Sequence, residues 1–468
     1  MANAQDQMYE QVPEGEAGYL SLYTQSQDRL ANLPMTVGYS SVAHLPNIFN
    51  LKGIQDTPDT PLQAVATKAD IGGIGGHVEV DPEVKGLVAK YMLIHNRRKD
   101  NGQRIFRSMV VTHTGDDVCI TIVQDADVPT SVTHQLMDNA LRYGGTPKAF
   151  ELGLYGPGQD LLTDAFTGNV HGSGVASVTL PLPVRPDPKR ASQTIMVVCA
   201  DKTDPAALGN WLCRAYFDPN YNTGLLIAAS EMKRGYDFVV ADLDTRAQAA
   251  EKGLTNQADI DAFLKQAAGQ ERVVIVDDAI ELQRLLLDQG RYVVAQIRTK
   301  NGNIGFTLSA ERLHNISGTY SGKDDPVVLA LCQGDWPAPG EISSVYMRPK
   351  IVAGDCRGSH RMPIRPQPLN SPTSMWSGPI VTTMLLSVNI HSGRIGALVD
   401  HFAPGTAWDT VRTNVDELSF RIRDHGATEP ATLPVNELEY QPGYREGMAA
   451  LAPRFKDIPA GELNAVTG

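Results

Sequence analysis

The chain has 468 residues, 42% of them hydrophobic and 20% charged, with 42 glycines, 30 prolines and a formal net charge of -12. That balance suits a globular enzyme with a sizeable core and many turns, and it argues against disorder and against a nucleic-acid surface, which would carry a basic patch or stripe. The five cysteines, Cys119, Cys199, Cys213, Cys332 and Cys356, are scattered and never form Cys-x-x-Cys, so neither a disulfide framework nor a zinc knuckle is indicated and a reduced cytoplasm is the expected setting.

The start, Met1-Ala2-Asn3-Ala4-Gln5-Asp6, lacks a basic and then apolar leader, and no run of about 18 apolar residues occurs; neither secretion nor a membrane partner is expected. Residues 1–60 carry seven Asp/Glu against Arg29 and Lys52 and are broken by prolines. They read as an N-terminal extension or arm. Its segment Ile48-Phe49-Asn50-Leu51 suits docking on the body or on a neighbouring subunit, with a loose tail as the alternative. Residues 61–468 read as one domain, without internal repeats.

From Val65 the pattern is a strand ending at Asp70, then a glycine-rich turn over 71–77. Asp81-Pro82 opens a helix as N-cap and first residue, with Val84, Leu87, Val88 and Tyr91 on one stripe. Ile105 to Thr112 and Val118 to Val123 form two strands around the turn Gly115-Asp116-Asp117. A helix is predicted at 131–142. Further strands are predicted at 194–200, 238–241, 273–276, 292–297 and 327–331, and helices near 258–267, 278–289 and 409–424, the last closed by Gly426. Strand pairs with short connections interleaved with helices imply an α+β fold with mixed or antiparallel sheets, not a doubly wound parallel sheet.

Acidic residues recur at these strand ends: Asp70, Asp116-Asp117, Asp201-Lys202 and Asp324-Asp325. A capped turn is the alternative for any one pair. If six carboxylates converge, however, they need cations, because each buried ion otherwise costs several kcal/mol. Carboxylates with His77 and the amide of Gln159 suit magnesium or manganese better than zinc. The run Tyr320-Ser321-Gly322-Lys323-Asp324-Asp325-Pro326 puts an amine, a phenol and two carboxylates within seven residues. A free lysine, with a pKa of about 10.4, is the nucleophilic amine in only about one molecule in a few thousand at neutral pH. Cations on the neighbouring carboxylates would reverse that handicap and free Lys323 to form a Schiff base, with Tyr320 as proton carrier; a solvated turn is the alternative reading of this run taken alone. The glycine-lined turns at 155–160 and 166–170 can form anion-binding nests, but no nucleotide-binding glycine motif is present.

Taken together, these residues resemble a known family. Lys68-Ala69-Asp70-Ile71-Gly72 with Gly76-His77, His113-Thr114-Gly115-Asp116-Asp117, Gly158-Gln159-Asp160, Phe166-Thr167-Gly168-Asn169, Ala200-Asp201-Lys202-Thr203, the Tyr320 to Pro326 run, Arg357-Gly358-Ser359-His360 and Glu437-Leu438-Glu439-Tyr440 occur in order. In this the chain is similar, over about 65–455, to the archaeal-type fructose-1,6-bisphosphate aldolase/phosphatases, or class V fructose-1,6-bisphosphatases.

The resemblance implies a layered α-β-β-α sandwich, usually an octamer, with 61–468 as the aldolase/phosphatase catalytic domain. It implies a gluconeogenic, Mg2+-dependent enzyme of carbohydrate metabolism that joins dihydroxyacetone phosphate to glyceraldehyde 3-phosphate and then hydrolyses the 1-phosphate to leave fructose 6-phosphate. On this likeness Lys323 forms the Schiff base and Tyr320 moves the proton. Asp70, His77, Asp116, Asp117, Gln159, Asp201, Asp324 and Asp325 form the shell for several Mg2+ ions. His77, Tyr155, Gly168, Asn169, Lys202, Gln333, Arg357 and Tyr440 hold the sugar phosphate. Ser377 stands where the family commonly has a substrate-side aspartate, and Val78 where it often has a second histidine, so another sugar phosphate is a possible substrate. A relative with only the phosphatase half and a non-catalytic sugar-phosphate binder are the alternative readings.

Overall fold

The computed structural model describes residues 35–38, 46–54, 60–75, 78–98, 100–158, 161, 175–184, 191–231, 235–267, 270–288, 290–310, 312–316, 319–322, 326–353, 361–373, 378–424, 441–459 and 462–465. The first sheet contains β1 (Met35–Gly38), β2 (Ile48–Leu51), β3 (Leu62–Asp70), β4 (Ser108–Thr114), β5 (Asp117–Asp125) and β6 (Ala176–Pro181). Their spatial order is β1-β2-β4-β5-β3-β6, with every pair antiparallel.

The second sheet begins with β7 (Ser192–Asp201), β8 (Tyr236–Asp242), β9 (Gln270–Val276), β10 (Tyr292–Thr299) and β11 (Ile304–Leu308). After a separate hairpin of β12 (Arg312–Ile316) and β13 (Thr319–Gly322), β14 (Val327–Cys332) returns to it. The short pair β15 (Ile351–Ala353) and β16 (Arg361–Pro363) precedes β17 (Arg365–Pro366), β18 (Ile380–Asn389), β19 (Ile395–Asp400) and β20 (Lys456–Pro459). The order is β17-β18-β7-β14-β11-β10-β8-β9-β20, with β19 beside β18. Among the described strands the short β17–β18 pairing is the parallel one.

Side chains alternate between the two faces of a strand, and here the alternation separates two interiors. On β5, Val118, Ile120 and Ile122 face helices α1 (Pro82–Ile94) and α2 (Thr130–Asn139), packing with Val84, Val88, Met92 and Leu136. Cys119 and Val123 turn the other way and join Val197, Cys199 and Val328 of the second sheet. Helices α3 (Pro205–Leu212) and α4 (Ala279–Leu286) cover the far side of that sheet through Leu208, Leu212, Leu282 and Leu285. The result is the α-β-β-α layering of an α+β fold. Each such side chain taken fully from water contributes about 1.5–3 kcal/mol, so the inter-sheet core fixes the strands that carry the acidic ends.

The predicted elements are found, with shifted bounds. Asp81 caps α1 by accepting the Glu83 amide at 2.8 Å, and Pro82 occupies the first turn. The strand expected from Ile105 starts at Ser108, because the Ile105 and Phe106 amides donate to Asn96 Oδ1 at 2.9 Å each. The helix expected to reach Arg142 gives way after Asn139 to a π-helical turn, Ala140–Gly145, where Gly145 lets the chain press on α1: a Cβ there would sit 2.7 Å from Val88 Cγ2. Within the arm, β2 pairs with β4, so this segment docks on the body. Gly426 lies outside the described residues.

Candidate active site

At one end of the inter-sheet core the polar chemistry begins abruptly. The Cys119 and Cys199 sulfurs, on β5 and β7, face each other at 3.4 Å as free, buried thiols. Two residues further along each strand, on the same faces and about 6.6 Å outward, stand Asp117 and Asp201. Asp116 joins them from the β4–β5 turn. All three are buried, and one ligand oxygen from each lies within 4.8 Å of the others. Asp70 is the direct cross-strand partner of Asp117. Its carboxylate accepts the Gly72 amide at 2.8 Å and shapes the turn leaving β3.

Like charges set opposite each other on a sheet repel, and two lysines offset them. Lys68 is fully buried, and its ammonium donates to Asp117 Oδ2. Lys202 donates to Asp201 Oδ1 at 2.7 Å and to Asp116 Oδ1 at 3.4 Å from the edge of the cluster, on a left-handed backbone of φ 57. Burial raises the Asp201 carboxyl above its ordinary range and Asp116 adds to the rise, while Lys202 and Lys68 oppose it. Two glycines make the close approach possible. A Cβ on Gly115, at φ 62, would lie 2.1 Å from Asp201 Oδ2, and one on Gly73 would lie 2.5 Å from Asp116 Cβ. A 2.6 Å hydrogen bond between the Thr114 and Thr382 hydroxyls ties β4 to β18 beside the site.

The structure thus brings together Asp70, Asp116, Asp117, Asp201 and Lys202. The loop carrying Tyr155 pairs with the turn after Asp70: Gly73 and Tyr155 exchange two backbone hydrogen bonds of 3.1 Å, and the Gly158 amide donates to the Ile71 carbonyl at 3.2 Å. Tyr155 itself is exposed. Tyr320 lies on β13, which packs near α3. His77, Gln159, Gly168, Asn169, Lys323, Asp324, Asp325, Arg357, Ser377 and Tyr440, together with the side chain of Tyr320, lie outside the described residues.

Gln333 follows the end of β14 away from this cluster. Register pairs Cys332 with Thr194, at the opposite end of β14 and β7 from Asp201; seven residues of strand put Gln333 roughly 23 Å from the carboxylates. Within one chain it stands apart from these carboxylates. Sequence reading missed Lys68, quoted above within a motif but given no role. The signal was there: a lysine inside an otherwise apolar strand needs a buried partner.

The donor set fits a divalent metal. It is made of hard carboxylate oxygens, which magnesium and manganese prefer, gathered where burial makes uncompensated anions expensive. Among the described residues, no helix is long and apolar enough to cross a membrane.

Comparison with known proteins agrees with this chemistry. The sequence profile described as fructose-1,6-bisphosphatase matches residues 63–456. The chain is 36% identical over 387 residues to a protein of Cenarchaeum symbiosum named fructose-1,6-bisphosphate aldolase/phosphatase, covering 82% of this chain and 92% of that protein. It is also 36% identical over 390 residues to the Thermus thermophilus protein of the same name, covering 83% and 98%, and 32% identical over 393 residues to that of Ignicoccus hospitalis, covering 84% and 92%. With the profile spanning most of its length and its carboxylates gathered at the sheet ends, the chain belongs to the fructose-1,6-bisphosphatase family that includes these aldolase/phosphatases.

Proposed function

We propose that this chain is a bifunctional fructose-1,6-bisphosphate aldolase/phosphatase working in one pocket with Mg2+. The observation that carries the reading is the meeting of Asp116, Asp117 and Asp201 within 4.8 Å beside Lys202. Asp70, Asp116, Asp117 and Asp201 would hold the metal, joined by His77, Gln159, Asp324 and Asp325. Bound there, Mg2+ supplies charge that polarises a phosphate and lowers the pKa of an attacking water.

Lys202, 18% exposed at the edge of the cluster, would meet a phosphate oxygen. Arg357, Asn169, the Gly168 amide, Tyr155 and Tyr440 would complete the grip on the sugar phosphate. For the aldol half, Lys323 would condense with the ketone of dihydroxyacetone phosphate and release water, while Tyr320 moves the proton at the adjoining carbon. Chain connectivity supports bringing Lys323 to this pocket. The Ala200 amide donates to the Pro326 carbonyl at 3.0 Å, one residue before Asp201. Only Asp324 and Asp325 lie between Lys323 and Pro326, and a chain of three peptide links spans at most about 11 Å.

A cytoplasmic, gluconeogenic role as a homo-octamer is part of the proposal. Assays of the purified protein with fructose 1,6-bisphosphate, and separately with the two triose phosphates, each with and without Mg2+, test it. Phosphate release that needs Mg2+, together with a borohydride adduct at Lys323, is expected. Absence of Mg2+-dependent release would overturn the phosphatase half; absence of adduct with release intact would overturn the aldolase half.

A further inference from the structure

Lys68 has no part in the chemistry above, yet its placement is unusual. It occupies the inner face of β3 between Ala66 and Asp70, directly across from Cys119 in the β3–β5 register, with no exposed surface. A lysine is almost never fully buried unless it is paired, and here its ammonium reaches Asp117 Oδ2. The contact comes from inside the core, behind the carboxylate. Lys202 approaches the same cluster from its edge and is partly exposed. One cation is thus built into the sheet, and the other can turn toward a ligand.

We propose that Lys68 is a positioning residue of the metal site: it grips Asp117 from behind and fixes the direction in which that carboxylate meets a divalent cation. The terminal torsion of an aspartate is broad, so a carboxylate anchored only through its Cβ would present its oxygens over a wide arc. With Oδ2 held by Lys68, rotation of the carboxylate is restricted while Asp117 still brings a ligand oxygen within 4.8 Å of those of Asp116 and Asp201. Groups that hold metal-ligating side chains from behind typically account for about 10–100-fold in metal affinity. Charge alone makes the opposite prediction, because deleting a cation from an acidic cluster should tighten its hold on a dication. The sign of the effect therefore separates orientation from simple charge balance.

The inference rests on the metal reading above, and Mn2+ binding followed by electron paramagnetic resonance tests the two separately. On the full-length, metal-stripped protein, the wild type is expected to bind Mn2+ and Lys68→Met to bind it about 10–100-fold more weakly. In an Asp117→Asn background, adding Lys68→Met should not weaken Mn2+ binding further, since the orienting role of Lys68 acts through Asp117. Lys68→Met with unchanged or tighter Mn2+ binding overturns the proposal, including the case in which only the melting temperature falls. If Lys68→Met alone does not fold, the double variant, which leaves neither charge unpaired, is compared with Asp117→Asn; a further loss of about tenfold or more then overturns it. A wild type that binds no Mn2+ defeats the metal reading itself.

Discussion

Gly115→Ala isolates the geometry of the carboxylate cluster from the stability of the fold. Gly115 sits at φ 62, and an added Cβ would lie 2.1 Å from Asp201 Oδ2. Ordinary contact begins at about 3.5 Å, so the carboxylate must retreat by about 1.4 Å or rotate away. Gly102 provides the control: its φ is 70, but a Cβ there meets nothing within 4 Å. Both substitutions carry the left-handed backbone cost of about 1–2 kcal/mol, so both should lower the melting temperature by similar small amounts. Only Gly115→Ala should disturb the cluster. A misplacement of about 1 Å can cost about 100-fold in rate, equivalent to about 2.7 kcal/mol in the barrier. The assay is Mg2+-dependent phosphate release from fructose 1,6-bisphosphate, with melting measured in parallel. Equal and small losses of activity in the two variants would refute the placement of Asp201 against Gly115.

Lys323→Ala should abolish both triose condensation and borohydride trapping, and retained condensation would remove Lys323 from its role. Burial lowers the Lys85 amine from 10.5 to about 8, and its Nζ lies 2.7 Å from His113 Nδ1. Between about pH 8 and 10 the unfolded chain therefore binds the extra proton, so Lys85 makes stability rise with pH, by on the order of 3 kcal/mol across the full window. Melting curves from pH 7 to 10 should show the wild type gaining on Lys85→Met as pH rises, and a constant difference would contradict the burial. Gly305→Ala, whose Cβ would lie 2.3 Å from the Trp336 ring, should cost about 1–3 kcal/mol by overpacking while leaving the Mg2+ dependence of the remaining activity unchanged; altered Mg2+ dependence would show coupling to the site.

What could be read from the sequence was local. Strand ends marked by Asp70, Asp116-Asp117 and Asp201 were visible because apolar runs stop there at turn residues, and Asp81-Pro82 announced its helix through capping chemistry alone. Strand pairing is not local. The ten-residue β18 was missed although it lies beside β7 over its whole length; its run Ile380-Val381-Thr382-Thr383-Met384-Leu385-Leu386 is buried on both faces at one end and so lacks the alternation that identifies a half-exposed strand. Lys68 was legible only in part: a lysine inside an apolar strand signals a buried partner, but which carboxylate it meets depends on how β3 pairs with β5.

These non-local facts decide how the site is held. Asp117 and Asp201 belong to different sheets, so their separation is set by how closely β5 and β7 pack, not by either strand alone. The Cys119–Cys199 contact is the last inter-sheet packing before the carboxylates, about one pleat repeat inward on both strands. A larger side chain at either cysteine would therefore widen the gap that Asp117 and Asp201 must span, whereas an equal substitution deeper in the core would be absorbed by several intervening pairs. The core at this end works as a spacer for the acidic cluster, and Lys68, anchored in the same layer, keeps Asp117 aimed across it.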